Sequence, residues 1–229
     1  MLIADMLALQ GKTNQAMASY HESININQKI HGEDHGSIIY ASTKVANILV
    51  RQGDIDRALE TYKRCLDWYE KQSGEHLLSL IGALCDVGKM YRDLEELDTA
   101  MKYFQRALDT CNDAGFQDMA VSATVNATIG ETLRLQGEME KAMDHHKVSL
   151  RIKQKIYGEQ SIESVHGYCD VGNVLVEEGD FEEAMANFQR SLDWLESRLG
   201  KYSLNLACMF SVIGDMFIHQ ERYDKAVEY

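Results

Sequence analysis

Residues 49–66 read LVRQGDIDRALETYKRCL, and residues 175–192 read LVEEGDFEEAMANFQRSL. A looser copy, LRLQGEMEKAMDHHKVSL, occupies 133–150. In each copy the apolar residues recur at separations of three and four on both sides of a glycine. That is the spacing of two amphipathic helices joined by a tight turn, not the alternation of a strand. The interval between copies decides the fold. The alanine inside the phrase returns as Ala16, Ala58, Ala100, Ala142, Ala184 and Ala226, always 42 residues apart. Twelve residues earlier runs a small-residue column, Ala4, Ala46, Gly88, Gly130, Gly172 and Gly214. A β-branched column precedes it: Ile3, Val45, Val87, Ile129, Val171 and Ile213. The turn column is Gly11, Gly53, Glu95, Gly137, Gly179 and Glu221. Six registers aligned without an insertion identify an internal repeat.

Each repeat is therefore a helix, a turn and a second helix. The small columns have a physical reason, because antiparallel helices that cross closely leave no room for a larger side chain. Asp180 and Glu183 have capping-box spacing and start a second helix just past Gly179. Gly32, Gly74, Gly158 and Gly200 share a column at the end of the second helices, with Gly115 one place early. Glycine closes a helix there by adopting the left-handed conformation. One helix pair cannot bury both of its faces, so neighbouring pairs must stack into an all-α solenoid. The registers fall at 1–38 (partial), 39–80, 81–122, 123–164, 165–206 and 207–229 (partial) of a single array. Residue 1 then lies inside a first helix and Tyr229 early in a second helix, so the chain is expected to be a piece of a longer protein.

The columns resemble the tetratricopeptide repeat, with a small residue at the eighth position, alanine at the twentieth and an aromatic at the twenty-fourth. The aromatic column here is Tyr20, Tyr62, Phe104, His146 and Phe188. The 42-residue period is similar to the long-helix variety of kinesin light chain and its relatives. The loops GEDHGSII and GEQSIESV are similar to that family's Gly-Glu-x-His-Pro loop, with Gly36 where the proline stands, while GEHLLSL, GFQDMAVS and GKYSLNL diverge further. The resemblance implies a right-handed superhelix whose concave surface, lined mainly by first helices, holds an extended peptide or a partner helix. Carried over by position, it makes Asn47, Arg51, Lys89, Arg92, Arg134 and Asn173 the candidate binding residues. Arginine forks suit carboxylates, and an asparagine amide offers a peptide backbone both donor and acceptor. The expected partner is a protein or peptide with acidic side chains or a free carboxylate. A plainer reading is that these cations are solubilising and paired with Asp86, Asp93 or Glu131.

Composition narrows the field further. Twenty-three Lys and Arg against 36 Asp and Glu leave a net charge of −13, with no basic block, which excludes nucleic acid as the natural partner. No apolar run approaches the ~20 residues of a membrane span. The five cysteines lack CxxC spacing, which points to reduced thiols and a cytoplasmic setting. Adjacent His145 and His146 point about 100° apart on a helix, so they do not form a facing ligand pair. His146 stands in the aromatic column as a partly buried packing residue. His31 and His35 flank a glycine where a helix is not expected, so they form no metal site. Cys65 fills a small-residue column, whereas Cys169 and Cys208 are expected near the groove. Trp68 and Trp194, late in two second helices, are expected to pack on the following repeat. No phosphate-loop, dinucleotide or nucleophile-elbow motif is present. The chain reads as a non-catalytic interaction scaffold without metal or cofactor. The alternatives are a self-associating subunit, homo- or hetero-oligomeric through its exposed repeat ends, and a regulatory sensor module fused to a catalytic domain outside the chain.

Overall fold

A computed structural model describes residues 2–72, 74–199 and 203–229. Among them every regular element is a helix: α1 (Leu2–Leu9), α2 (Thr13–His31), α3 (Gly36–Arg51), α4 (Ile55–Lys71), α5 (Leu77–Asp93) and α6 (Leu97–Asp113), then α7 (Ala120–Leu135), α8 (Met139–Tyr157), α9 (Ile162–Glu178), α10 (Phe181–Leu199), α11 (Leu204–His219) and α12 (Tyr223–Ala226). Odd-numbered helices are the first helices of the repeats and even-numbered ones the second. The first helices begin ahead of the register boundaries; α3 starts at Gly36 rather than residue 39, because His35 Nδ1 accepts the Ser37 amide and opens the helix there. Ser161 and Ser203 cap α9 and α11 in the same way, and Asp180 accepts the Glu183 amide at 3.3 Å, as its spacing implied.

The chain divides into two compact units, Met1–Thr110 and Cys111–Tyr229. Within the first unit α1 to α5 pack each on the next, and within the second α7 to α12 do the same. The Ala16, Ala58, Ala100, Ala142 and Ala184 column is fully buried, and so is the aromatic column from Tyr20 to Phe188. Two solutions exist for the helix crossing. Where the small residue is glycine, the ring presses directly on it: a Cβ at Gly172 would lie 2.4 Å from the Phe188 ring, and one at Gly88 2.5 Å from Phe104. Where it is Ala4 or Ala46, the ring is a tyrosine whose hydroxyl donates to the next residue of the first helix, Tyr20 to Asp5 at 2.5 Å and Tyr62 to Asn47. His146 is the exception in this column, for it covers Gly130 and is completely rather than partly buried.

The turn column holds a positive φ throughout, including Glu95 at 63° and Glu221 at 56°. The closing glycines behave differently from expectation. Gly32 and Gly158 have positive φ but ψ of 180° and 163°, an extended glycine-only conformation, because the chain turns outward into the next loop instead of completing a left-handed cap. Gly200, and with it the start of the loop GKYSLNL, lies outside the described residues. Position α1 differs from the other first helices in one respect. Ile3 and Met6 are 72% and 59% exposed, whereas their equivalents Val45 and Ile48 are each 5% exposed.

Two outcomes follow from the turn and the crossing. Glu95→Gly removes a left-handed non-glycine residue and is expected to raise stability by up to about 1 kcal/mol, read from the denaturation midpoint. Gly172→Val places methyl groups inside the Phe188 ring and is expected to cost at least about 2–3 kcal/mol, with a lowered melting temperature by circular dichroism.

Candidate functional site

The six candidate residues lie on four first helices: Asn47 and Arg51 on α3, Lys89 and Arg92 on α5, Arg134 on α7 and Asn173 on α9. Three of the four cations are already engaged. Lys89 Nζ lies 3.8 Å from Asp86, and Arg92 lies 3.5 Å from its neighbour Asp93. Arg134 grips Glu131 with a two-pronged fork at 2.8 and 2.9 Å and also contacts Glu177. These hydrogen bonds hold the guanidinium proton still more firmly than usual. Burial pushes the Asp86 carboxyl upward, and the charge of Lys89 offsets part of that. The plainer pairing with Asp86, Asp93 and Glu131 therefore describes α5 and α7.

The first unit presents a different arrangement on α3. Tyr40, Lys44, Asn47 and Arg51 follow spacings of four, three and four, which place them in one stripe along the helix. The stripe borders a cavity of about 340 Å³ closed on its other side by Asp5, Ala8 and Leu9 of α1. Arg51 is exposed and has no ion pair or hydrogen bond among the described residues. Lys44 likewise has no carboxylate partner there; its ammonium sits 5.1 Å from the centre of the Tyr40 ring, held by a cation–π contact. Asp5 accepts the Tyr20 hydroxyl through Oδ1 and keeps its negative charge on the α1 wall of the cavity, without an ion pair to either cation among the described residues. Asn47 is exposed, and its Oδ1 is taken by Tyr62, so its amide N–H groups remain for a ligand. The result is two unneutralised cations and an amide donor beside exposed Tyr40 and Leu9.

Lys44 was not among the residues carried over by family position, since it lies outside the columns that the resemblance assigns to the groove. The helical spacing of Tyr40, Lys44, Asn47 and Arg51 is the signal that finds it. In the second unit the equivalent stripe on α9 reads His166, Asp170, Asn173 and Glu177. It is acidic, with Asp170 paired to Lys153 at 3.5 Å and Glu177 to Arg134. Asn173 keeps a free amide because Phe188, its partner across the crossing, has no hydroxyl to donate.

The remaining chemistry-bearing residues are packing residues. Cys169 does not open onto the first-helix face as expected; its sulfur lies 3.7 Å from Ser191 Oγ and 3.9 Å from Met209, and burial pushes its thiol up to about 11. Cys208 is exposed and Cys65 buried. His31 and His35 stack ring on ring at 4.3 Å, and no cluster of metal-ligating side chains occurs among the described residues. Trp68 meets His76, the cap of α5, at 5.6 Å between ring centres, while its indole N–H donates backward to the Asp34 carbonyl at 3.0 Å. Trp68 and Trp194 each floor a shallow pocket, of about 260 and 480 Å³. Both pockets mix an arginine with rim carboxylates, Arg64 with Glu33 and Asp67, Arg190 with Glu159 and Asp193, and so select no ligand by charge.

Tetratricopeptide-repeat family models match residues 2–36, 37–113, 121–197 and 166–229. No protein of curated function matches by sequence. Among solved structures, BtubC (BKLC) from P. vanneervenii is similar with a TM-score of 0.78 and 18% identity, over 94% of this chain and 87% of that one. Apo RapI gives 0.77 at 13% identity, over 100% and 92% of the two chains. A putative kinesin light chain of Podosopora anserina with nearly identical repeats gives 0.71 at 11% identity, over 87% and 94%. At these identities the likeness is one of fold. Tyr62→Phe is expected to cost about 1 kcal/mol by deleting the cross-helix hydrogen bond, a loss measurable in urea.

Proposed function

The chain belongs to the tetratricopeptide-repeat family, and from that premise we propose that it is an interaction module whose first-helix face, the concave side of the repeat, takes an acidic peptide segment on α3. The observation that carries the reading is the pair of unneutralised cations, Lys44 and Arg51, in one stripe with Asn47. A carboxylate arriving between them meets charge that no side chain of the protein has cancelled. The net charge of −13 makes such a patch selective, because the rest of the surface repels an acidic segment. Asn47 supplies N–H donors to the peptide backbone, and Tyr40 with Leu9 supplies apolar contact. Lys89 and Arg92 shape the potential of α5 from within their ion pairs; in the second unit Arg134 does the same on α7 and Asn173 offers an amide on α9.

A fluorescein-labelled Glu/Ala peptide with a free C-terminus tests this by polarisation at low salt, beside its Lys/Ala counterpart. Lys44→Glu with Arg51→Glu is expected to weaken the acidic peptide at least about tenfold, whereas Arg92→Glu has a smaller effect. Equal affinity of the double variant and the wild type would refute the site.

Exposed Ile3 and Met6 support a second reading, self-association through α1. Sedimentation velocity over a hundredfold concentration range is expected to show dimer that Met6→Glu abolishes; a monomer throughout removes this reading.

A further inference from the structure

We propose that His146 makes the seam between α7 and α8 acid-sensitive: the neutral ring closes the two helices together, and protonation loosens them, giving the second unit a pH-responsive joint. The other registers close the same crossing with Tyr20, Tyr62, Phe104 and Phe188. His146 is 2% exposed, and neither of its ring nitrogens has a hydrogen-bond partner among the described residues. It has no room to turn toward one, since a Cβ on Gly130 would meet its Nε2 at 2.8 Å.

The charged groups around the ring explain why it stays neutral. Glu131 and Arg134 face it from α7, Asp170 from α9 and Lys153 from its own helix. Both carboxylates are already committed, Glu131 to the Arg134 fork and Asp170 to Lys153. Tyr20 and Tyr62 find acceptors in Asp5 and Asn47; at the same place His146 meets a Glu131 occupied by arginine. Burial outweighs these carboxylates and holds the His146 ring below the usual histidine range. The opened seam, by contrast, binds a proton at an ordinary pKa of about 6.5. The seam therefore keeps its full stability above that value and loses it progressively as pH falls toward the folded-state value.

The helices on either side are suited to respond. The buried face of α7 carries Ser122, Asn126, Thr128 and Thr132. Thr132 stands where first helices elsewhere have Ile48, Met90, Val174 and Met216, so α7 brings less apolar surface to the core. Burial holds His145 below the usual histidine range as well, but it is turned to Asn126, with 2.9 Å between Nδ1 and Oδ1, a partner that His146 lacks.

Hydrogen exchange at pH 7.5 and 5.5, corrected for intrinsic rates, reads the opening directly. Amide protection in α7 and α8 of the wild type is expected to fall several-fold, up to about tenfold for a single proton, at the lower pH, and clearly less in His146→Phe. His145→Asn is expected to keep the larger part of the response, since His145 has a partner for its ring nitrogen and His146 has none. NMR titration of the wild-type His146 ring supplies a readout that does not depend on the folding of a variant, and is expected to place it below the ordinary histidine value. The proposal is overturned if His146→Phe opens as the wild type does, if the response disappears in His145→Asn instead, or if the ring titrates at or above its ordinary value. None of these measurements uses a ligand, so the outcome is separate from that of peptide binding.

Discussion

The contact on which the rest of this structure depends is a ring laid over a small residue where the two helices of a repeat cross. Phe188 over Gly172 and Phe104 over Gly88 leave no space for even one added carbon. That closeness sets how the pair presents its outer faces, and stacking of pairs follows from it. The alanine-bearing repeats reach the same end with a tyrosine whose hydroxyl is tied to the first helix. The aromatic column and the small column thus vary together, while the residue after the small one follows less strictly, since asparagine stands opposite both Tyr62 and Phe188. Asp5 and Asn47 go with Tyr20 and Tyr62, whereas Lys89 and Asn173 go with Phe104 and Phe188. His146 with Gly130 and Glu131 fits neither set, and its nitrogens are left without partners as a result.

The same coupling reaches the surface. A tyrosine hydroxyl that stabilises the crossing also occupies the oxygen of Asn47, so that residue meets a ligand as a donor only. Asn173, opposite a phenylalanine, keeps both functions of its amide. Packing inside the repeat thereby sets the hydrogen-bonding character of the first-helix face. Electrostatics on that face obeys a similarly local rule. An acid three residues before a cation or immediately after it neutralises Lys89, Arg92 and Arg134, while Lys44 and Arg51 have none placed to do so. Two cations at one register of α3 and two acids at the equivalent register of α9 give the two first helices stripes of opposite charge from one backbone plan.

Much of this was legible in the letters alone. The 42-residue interval, the turn glycines and the three-and-four spacing establish helix pairs because each reflects local geometry that recurs at every register. The turn itself was readable even at Glu95 and Glu221, where the glycine is missing but the column is not, while its left-handed backbone emerged with the structure. The pairing of Arg134 with Glu131 is likewise a matter of helical spacing, three residues apart on one helix.

What only the tertiary structure decided was which groups meet across helices. Arg134 also reaches Glu177, 43 positions away, and Cys169 turns to Ser191 and Met209 rather than outward. The cavity between α1 and α3 brings Lys44 into the same site as Asn47 and Arg51, although family position alone passed over it. The complete burial of His146 belongs to this class too, for the column names a packing position without saying how tightly it is closed. Periodicity determines the pairs because backbone hydrogen bonds and apolar spacing act within a few residues. The partners of a side chain depend on distances between helices, and those exist only once the pairs have stacked.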